Sequence, residues 1–130
     1  MTHLSKALLG TAALIALALP PSVAAQGGAA DPAAVAQGMA LWKKHGCQAC
    51  HGFGRRLAGP DLAGLQERRS LEWIRRWMKD TKGMLETDSV AKQLLKESNY
   101  ARMPQIKVSD ADIDNLLAFI ASETAKKRAM

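Results

Sequence analysis

Cys47-Gln48-Ala49-Cys50-His51 holds both cysteines of the chain, and C-x-x-C-H is the spacing by which a c-type haem is attached. On a helical turn, residues three and four apart share one face, so two thiols and an imidazole can address one flat ligand. The thiols would take the two vinyl groups as thioethers. The neutral His51 ring would then ligate the iron from one side.

Three other chemistries use such residues, and each needs something this sequence lacks. Structural zinc draws on two separated ligand pairs, whereas His45, Cys47, Cys50 and His51 crowd together with no second cluster downstream. A thioredoxin-like redox pair opens a helix after a buried strand, and no strand pattern precedes Cys47. A disulfide between Cys47 and Cys50 would close a loop too short to constrain the unfolded chain much.

The opposite axial position is restricted by the histidine inventory of His3, His45 and His51. His3 lies in a leader-like segment, and His45 sits just ahead of the motif on the same side as His51. Among the methionines, Met39 and Met78 fall at apolar helical positions, as core filling does, and Met130 ends the sequence. Met84 and Met103 are left. Met103 precedes Pro104, which biases it toward extended geometry and keeps its side chain out of a helix, so Met103 is the first choice and Met84 the substitute.

The elements that must position these groups all read as helices. Asp31 and Pro32 form an N-cap and N1 pair, and Val35, Met39 and Trp42 follow at helical spacing toward the Cys47 turn. Gly52 to Gly64 carries four glycines and a proline, a composition for a loop folded closely over something. Ser70 caps a helix expected over 71–82, with Leu71, Ile74, Trp77 and Met78 as its apolar stripe and Trp73 off it. A turn containing Gly83 leads to a shorter helix over 88–97. An irregular stretch follows over 99–107. Ser109 and Asp112 resemble a capping box opening a last helix, with Ile113, Leu116, Leu117 and Ile120 inward and Lys126, Lys127 and Arg128 at its carboxyl end.

At the amino terminus, His3 and Lys6 precede an apolar run from Ala7 to Leu19, and Val23-Ala24-Ala25 suits a cleavage site. The run is too short to span about 30 Å of hydrocarbon. Residues 1–25 therefore read as a signal peptide, 26–32 as a flexible segment and 33–130 as one domain. A bacterial periplasm is the expected compartment, with no transmembrane anchor. Of 18 Lys and Arg only Lys6 leaves with the leader, against 12 Asp and Glu that all remain, for a net +5 before haem propionates are counted. That surplus would steer the chain toward acidic partner surfaces. Nucleic-acid binding does not suit an exported protein. Lys43, Lys44, Arg55 and Arg56 are candidates for a basic rim.

With these residues in view, Gly38 to Ala121 resembles a class I monohaem cytochrome c. Gly38 and Trp42 match the family's glycine and aromatic on the first helix. Leu116 and Phe119 match the apolar and aromatic pair on the last, where the two helices cross. Gly59-Pro60-Asp61-Leu62 matches the family's G-P-x-L, implying that the Pro60 carbonyl accepts the His51 Nδ1 hydrogen and that Leu62 packs near the porphyrin. Met103-Pro104 matches the distal ligand and strengthens Met103 over Met84. The segment from Arg68 to Met103 departs from the mitochondrial type; a tryptophan in some relatives bonds a haem propionate, so Trp73 is either that group or a packing residue. The resemblance implies an all-α cytochrome c fold with haem enclosed by loops and one haem c held through Cys47 and Cys50. It also implies a monomeric one-electron carrier between redox protein partners rather than a stand-alone enzyme. The alternative is a haem c subunit of a larger reductase or dehydrogenase, since some nitrous oxide reductases carry similar modules.

Overall fold

The computed structural model describes residues 30–130; the expected signal peptide and most of the segment after it lie outside the described residues. Helix α1 (Pro32–Lys44) starts where its residues dictate, with the Asp31 carboxylate accepting from the Ala33 N–H at 3.1 Å and Pro32 at the first helical position. A 3-10 turn over Cys47–Ala49 follows. Then come α2 (Leu65–Arg68), α3 (Leu71–Lys79), α4 (Thr81–Thr87), α5 (Ser89–Glu97) and α6 (Asp110–Ala129). Among the described residues there is no strand, only an isolated bridge between His51 and Arg56. No described helix is long and apolar enough to cross a membrane.

The core sits where α1 crosses α6. Gly38 is buried against the Asn115 backbone, and a Cβ there would overlap the Asn115 carbonyl, so only glycine lets the two helices approach this closely. Next to it, the Trp42 ring lies 5.6 Å from Phe119 and 5.2 Å from Phe53. Ile74, Ile113, Leu116, Leu117 and Ile120 complete this cluster. The capping box at the start of α6 is present in full, with the Ser109 hydroxyl accepting from the Asp112 N–H and the Asp112 carboxylate from the Ser109 N–H.

The middle of the chain differs from its sequence pattern. Helix α3 stops at Lys79, not Lys82, because Asp80 turns the backbone and caps α4 by accepting from the Gly83 N–H at 2.9 Å. Gly83 is therefore inside a helix, not a turn: a Cβ there would overlap the Asp80 carboxylate. The short α2 has no periodicity to announce it. Leu71 is half exposed, while Trp73 packs against both the main core and a second cluster built on Met84, Leu85 and Ala91. Tertiary contact, not helical period, selects which face is apolar here.

Candidate haem site

The thiols of Cys47 and Cys50 are free; no disulfide joins them, with Cys47 half-buried and Cys50 exposed. Burial pushes the Cys47 thiol up. Among the described residues no three His, Cys, Asp or Glu side chains converge as a metal site.

His51 is oriented by its own loop. Its Nδ1 lies 2.9 Å from the Pro60 carbonyl oxygen, and because a carbonyl can only accept, Nδ1 donates, the tautomer that in a neutral ring leaves the Nε2 lone pair for a metal. The loop holding Pro60 is tied down over a few residues. The Gly59 N–H donates to Cys50 O at 2.7 Å and the Leu62 N–H to Gly52 O at 3.0 Å. The Asp61 carboxylate accepts from the Gly54 and Ala63 N–H groups, both at 2.9 Å. Gly59 is a requirement of the ring's position, since a Cβ there would stand 2.6 Å from His51 Cε1.

Met103 reaches the same cavity from the irregular stretch between α5 and α6. That cavity, of about 220 Å³, is lined by Cys47, Cys50, His51, Pro60, Leu62 and Met103, with an apolar back wall from α3 and α6. Met84 is 2 % exposed in the second cluster and does not line it. The Met103 segment has distant anchors. Gln105 Oε1 accepts from the Thr81 N–H at 2.9 Å, and its Nε2 donates to Met78 O at 3.0 Å and Lys79 O at 3.2 Å. These are the groups that the break at Asp80 leaves outside the α3 and α4 ladders. The Trp77 indole N–H donates to Met103 Sδ at 3.1 Å.

The basic rim reads differently in the structure. Lys43, Lys44, Arg55 and Arg56 do not line the cavity; Arg56 instead ties its loop to the end of α5, donating to Glu97 O and, at 3.2 Å, to Ser98 Oγ. Trp73 directs its indole N–H to Asp88 Oδ1 at 3.3 Å and lines the cavity. Arg68, Arg69 and Arg102 are the basic residues on the wall, and nothing in the sequence singles them out from the other arginines. Arg69 Nε is buried without a partner, and its guanidinium lies 5.6 Å over the Trp73 ring. A buried unpaired donor of this kind calls for an acceptor, above all an anionic one. A haem, with two carboxylates, an apolar ring and an iron seeking nitrogen and sulfur donors, fits this donor set.

The family described as cytochrome c matches residues 35–124 of this chain. A solved cytochrome c from Rhodothermus marinus is similar at 28% identity and a TM-score of 0.67, over 75% of this chain and 82% of that one. An engineered form of the Rhodothermus marinus protein bound to a carbene intermediate gives 28% and 0.64, over 82% and 90%. The cytochrome c domain of a Pseudomonas putida protein is 30% identical with a TM-score of 0.61, over 71% of this chain and 92% of that domain. No curated protein matches the chain. The chain belongs to the cytochrome c family, with the all-α fold of that family, a haem c bound covalently through its two cysteines and the role of a haem-based electron carrier.

Proposed function

We propose that this cytochrome c is an exported, periplasmic one-electron carrier with His51 and Met103 as axial ligands, exchanging electrons with redox protein partners. The observation that carries the reading is one cavity lined by Cys47, Cys50, His51 and Met103 together. When bound, the haem supplies a reversible ferric–ferrous couple. The residues supply its setting. Cys47 and Cys50 hold the ring covalently, and His51, with Nδ1 committed to Pro60 O, offers Nε2 to the iron. Leu62 and the α6 leucines exclude water, and Met103 offers a thioether, a ligand that raises the potential. The leader-like amino terminus supports export, and the basic surplus favours acidic partner faces.

The visible spectrum of the exported holoprotein, oxidised and reduced, tests the ligation. A weak sulfur-to-iron band at the red end in the wild type, lost in Met103→Ala, is the expected result. A wild type without the band that binds carbon monoxide readily when reduced has an open iron, and the simple carrier reading fails. Co-purification of a stoichiometric catalytic subunit would recast the chain as the haem subunit of a larger reductase or dehydrogenase.

A further inference from the structure

Among the described residues, Trp77 is the group whose polar atom is committed to the expected ligand atom at the far side of the cavity. Its Nε1–H donates to Met103 Sδ at 3.1 Å. The ring is not free to turn away. It stacks on Trp73 with centroids 5.6 Å apart and planes within 8°, and Trp73 is itself tied through its own N–H to Asp88 Oδ1 at 3.3 Å. Trp77 O accepts the buried Thr81 hydroxyl at 2.7 Å, which holds the helix end that carries the ring. Asp88, Trp73, Trp77 and Met103 thus form one chain of contacts running from the start of α5 to the sulfur.

We propose that Trp77 positions and tunes the distal ligand: its N–H engages one lone pair of the Met103 thioether and leaves the other for the iron. This deepens the His51/Met103 reading and rests on it. A thioether sulfur is a weak acceptor, so the bond needs the rigid donor that the Trp73 stack provides. Density drawn toward the indole N–H is withheld from iron, which costs the ferric state more than the ferrous. The hydrogen bond therefore raises the potential and weakens the ferric iron–sulfur bond, through the hydrogen bonding around an axial ligand that adjusts haem potentials in general.

Trp77→Phe in the holoprotein keeps an aromatic ring against Trp73 and removes the donor. The expected result is a lower reduction potential, a shifted sulfur-to-iron band and weaker binding of added imidazole to the ferric protein. The weakening should be about three- to tenfold, the equivalent of one net hydrogen bond. An unchanged potential and imidazole affinity, with the band retained, overturn the role of Trp77 while leaving Met103 ligation intact. Tighter imidazole binding means that the ring only braces the loop, and overturns the tuning. A wild type lacking the band removes Met103 ligation and this inference together. Where Trp77→Phe yields no holoprotein, the wild-type ferrous indole N–H resonance of Trp77 decides. Slow exchange supports the bond to sulfur, and exchange within minutes overturns it.

Discussion

The two sides of the cavity are built on opposite plans. On the His51 side, the groups that orient the ring lie within a short stretch of chain: Pro60 O, the Gly59 N–H to Cys50 O, the Leu62 N–H to Gly52 O and the Asp61 carboxylate. On the Met103 side, the anchors come from α3 and α4, more than twenty residues away in sequence, through Trp77 and through Gln105. A locally tied loop pays its closure entropy over few residues and can hold its shape with little help. A loop tied to distant elements is ordered only when those elements are in place. The difference teaches that the groups orienting the His51 ring are local, with Arg56 adding one tie to α5, while the methionine side reports on the packing of the middle helices.

Gly59→Ala strikes the His51 side hardest. Its Cβ would stand 2.6 Å from His51 Cε1, so either the ring or the Pro60 turn must move, at a cost of about 3 kcal/mol in an overpacked site. Denaturant unfolding of the holoprotein measures the loss. A variant within a few tenths of a kcal/mol of wild type would mean that the loop is soft and the contrast between the two sides false.

Gln105→Leu cuts the distant anchor. It leaves the Thr81 N–H and the carbonyls of Met78 and Lys79 without their side-chain partner, worth about 1 kcal/mol because the carbonyls stay within reach of water. The same variant should bind carbon monoxide faster in the ferrous state, because the Met103 segment is freed while the His51 loop is untouched. Stopped-flow mixing separates the two: an unchanged rate alongside lower stability would show that Gln105 serves the helix junction and not the ligand.

Tyr100 tests the same segment from its other end. Asn99 and Tyr100 both lie in the left-handed region, at φ 49° and 61°, and the Tyr100 side chain is exposed. Tyr100→Gly removes backbone strain with little packing to lose and should stabilise by about 1 kcal/mol, read as a rise in the thermal midpoint. Destabilisation would show that the tyrosine ring makes a contact worth more than the strain.

The smallest effect at neutral pH is expected from Asp88→Asn, which keeps an N-cap acceptor but removes the charge. The Ala91 N–H, and after it the Trp73 indole, hold the Asp88 carboxyl below the usual carboxylate range. The folded state therefore favours the ionised form. The stabilisation is present above the ordinary carboxylate pKa of about 4 and is lost as pH falls through the lowered folded value. Acid unfolding followed by circular dichroism should be less steep in Asp88→Asn than in wild type; an identical acid limb would remove Asp88 from the chain of contacts behind Met103.

Both helical ends of the fold were legible in the residues. Asp31-Pro32, the Ser109/Asp112 capping box, and the apolar periodicities of α1 and α6 are local signals, and the local hydrogen bonds that they specify are present. The middle was less legible. Nothing in the periodicity over 71–82 marks a break at Asp80, because the break is stabilised by a carboxylate cap and by Gln105 from far along the chain. For the same reason Gly83 reads as a turn residue in sequence and is a helix residue in space.

By itself the sequence determined the chemistry of the site. Cys47, Cys50 and His51 stand at fixed spacing, and Gly59-Pro60 lies a few residues on, so covalent geometry and one short loop suffice to bring donors to a common face. Only the tertiary structure showed that Met84 packs away from the cavity that Met103 lines, that Arg69 Nε is a buried donor without a partner on its wall, and that Trp77 stands behind Met103 Sδ. Those choices depend on how α3, α4 and α5 pack against each other and against α6, and side chains separated by tens of residues meet only after that burial has taken place.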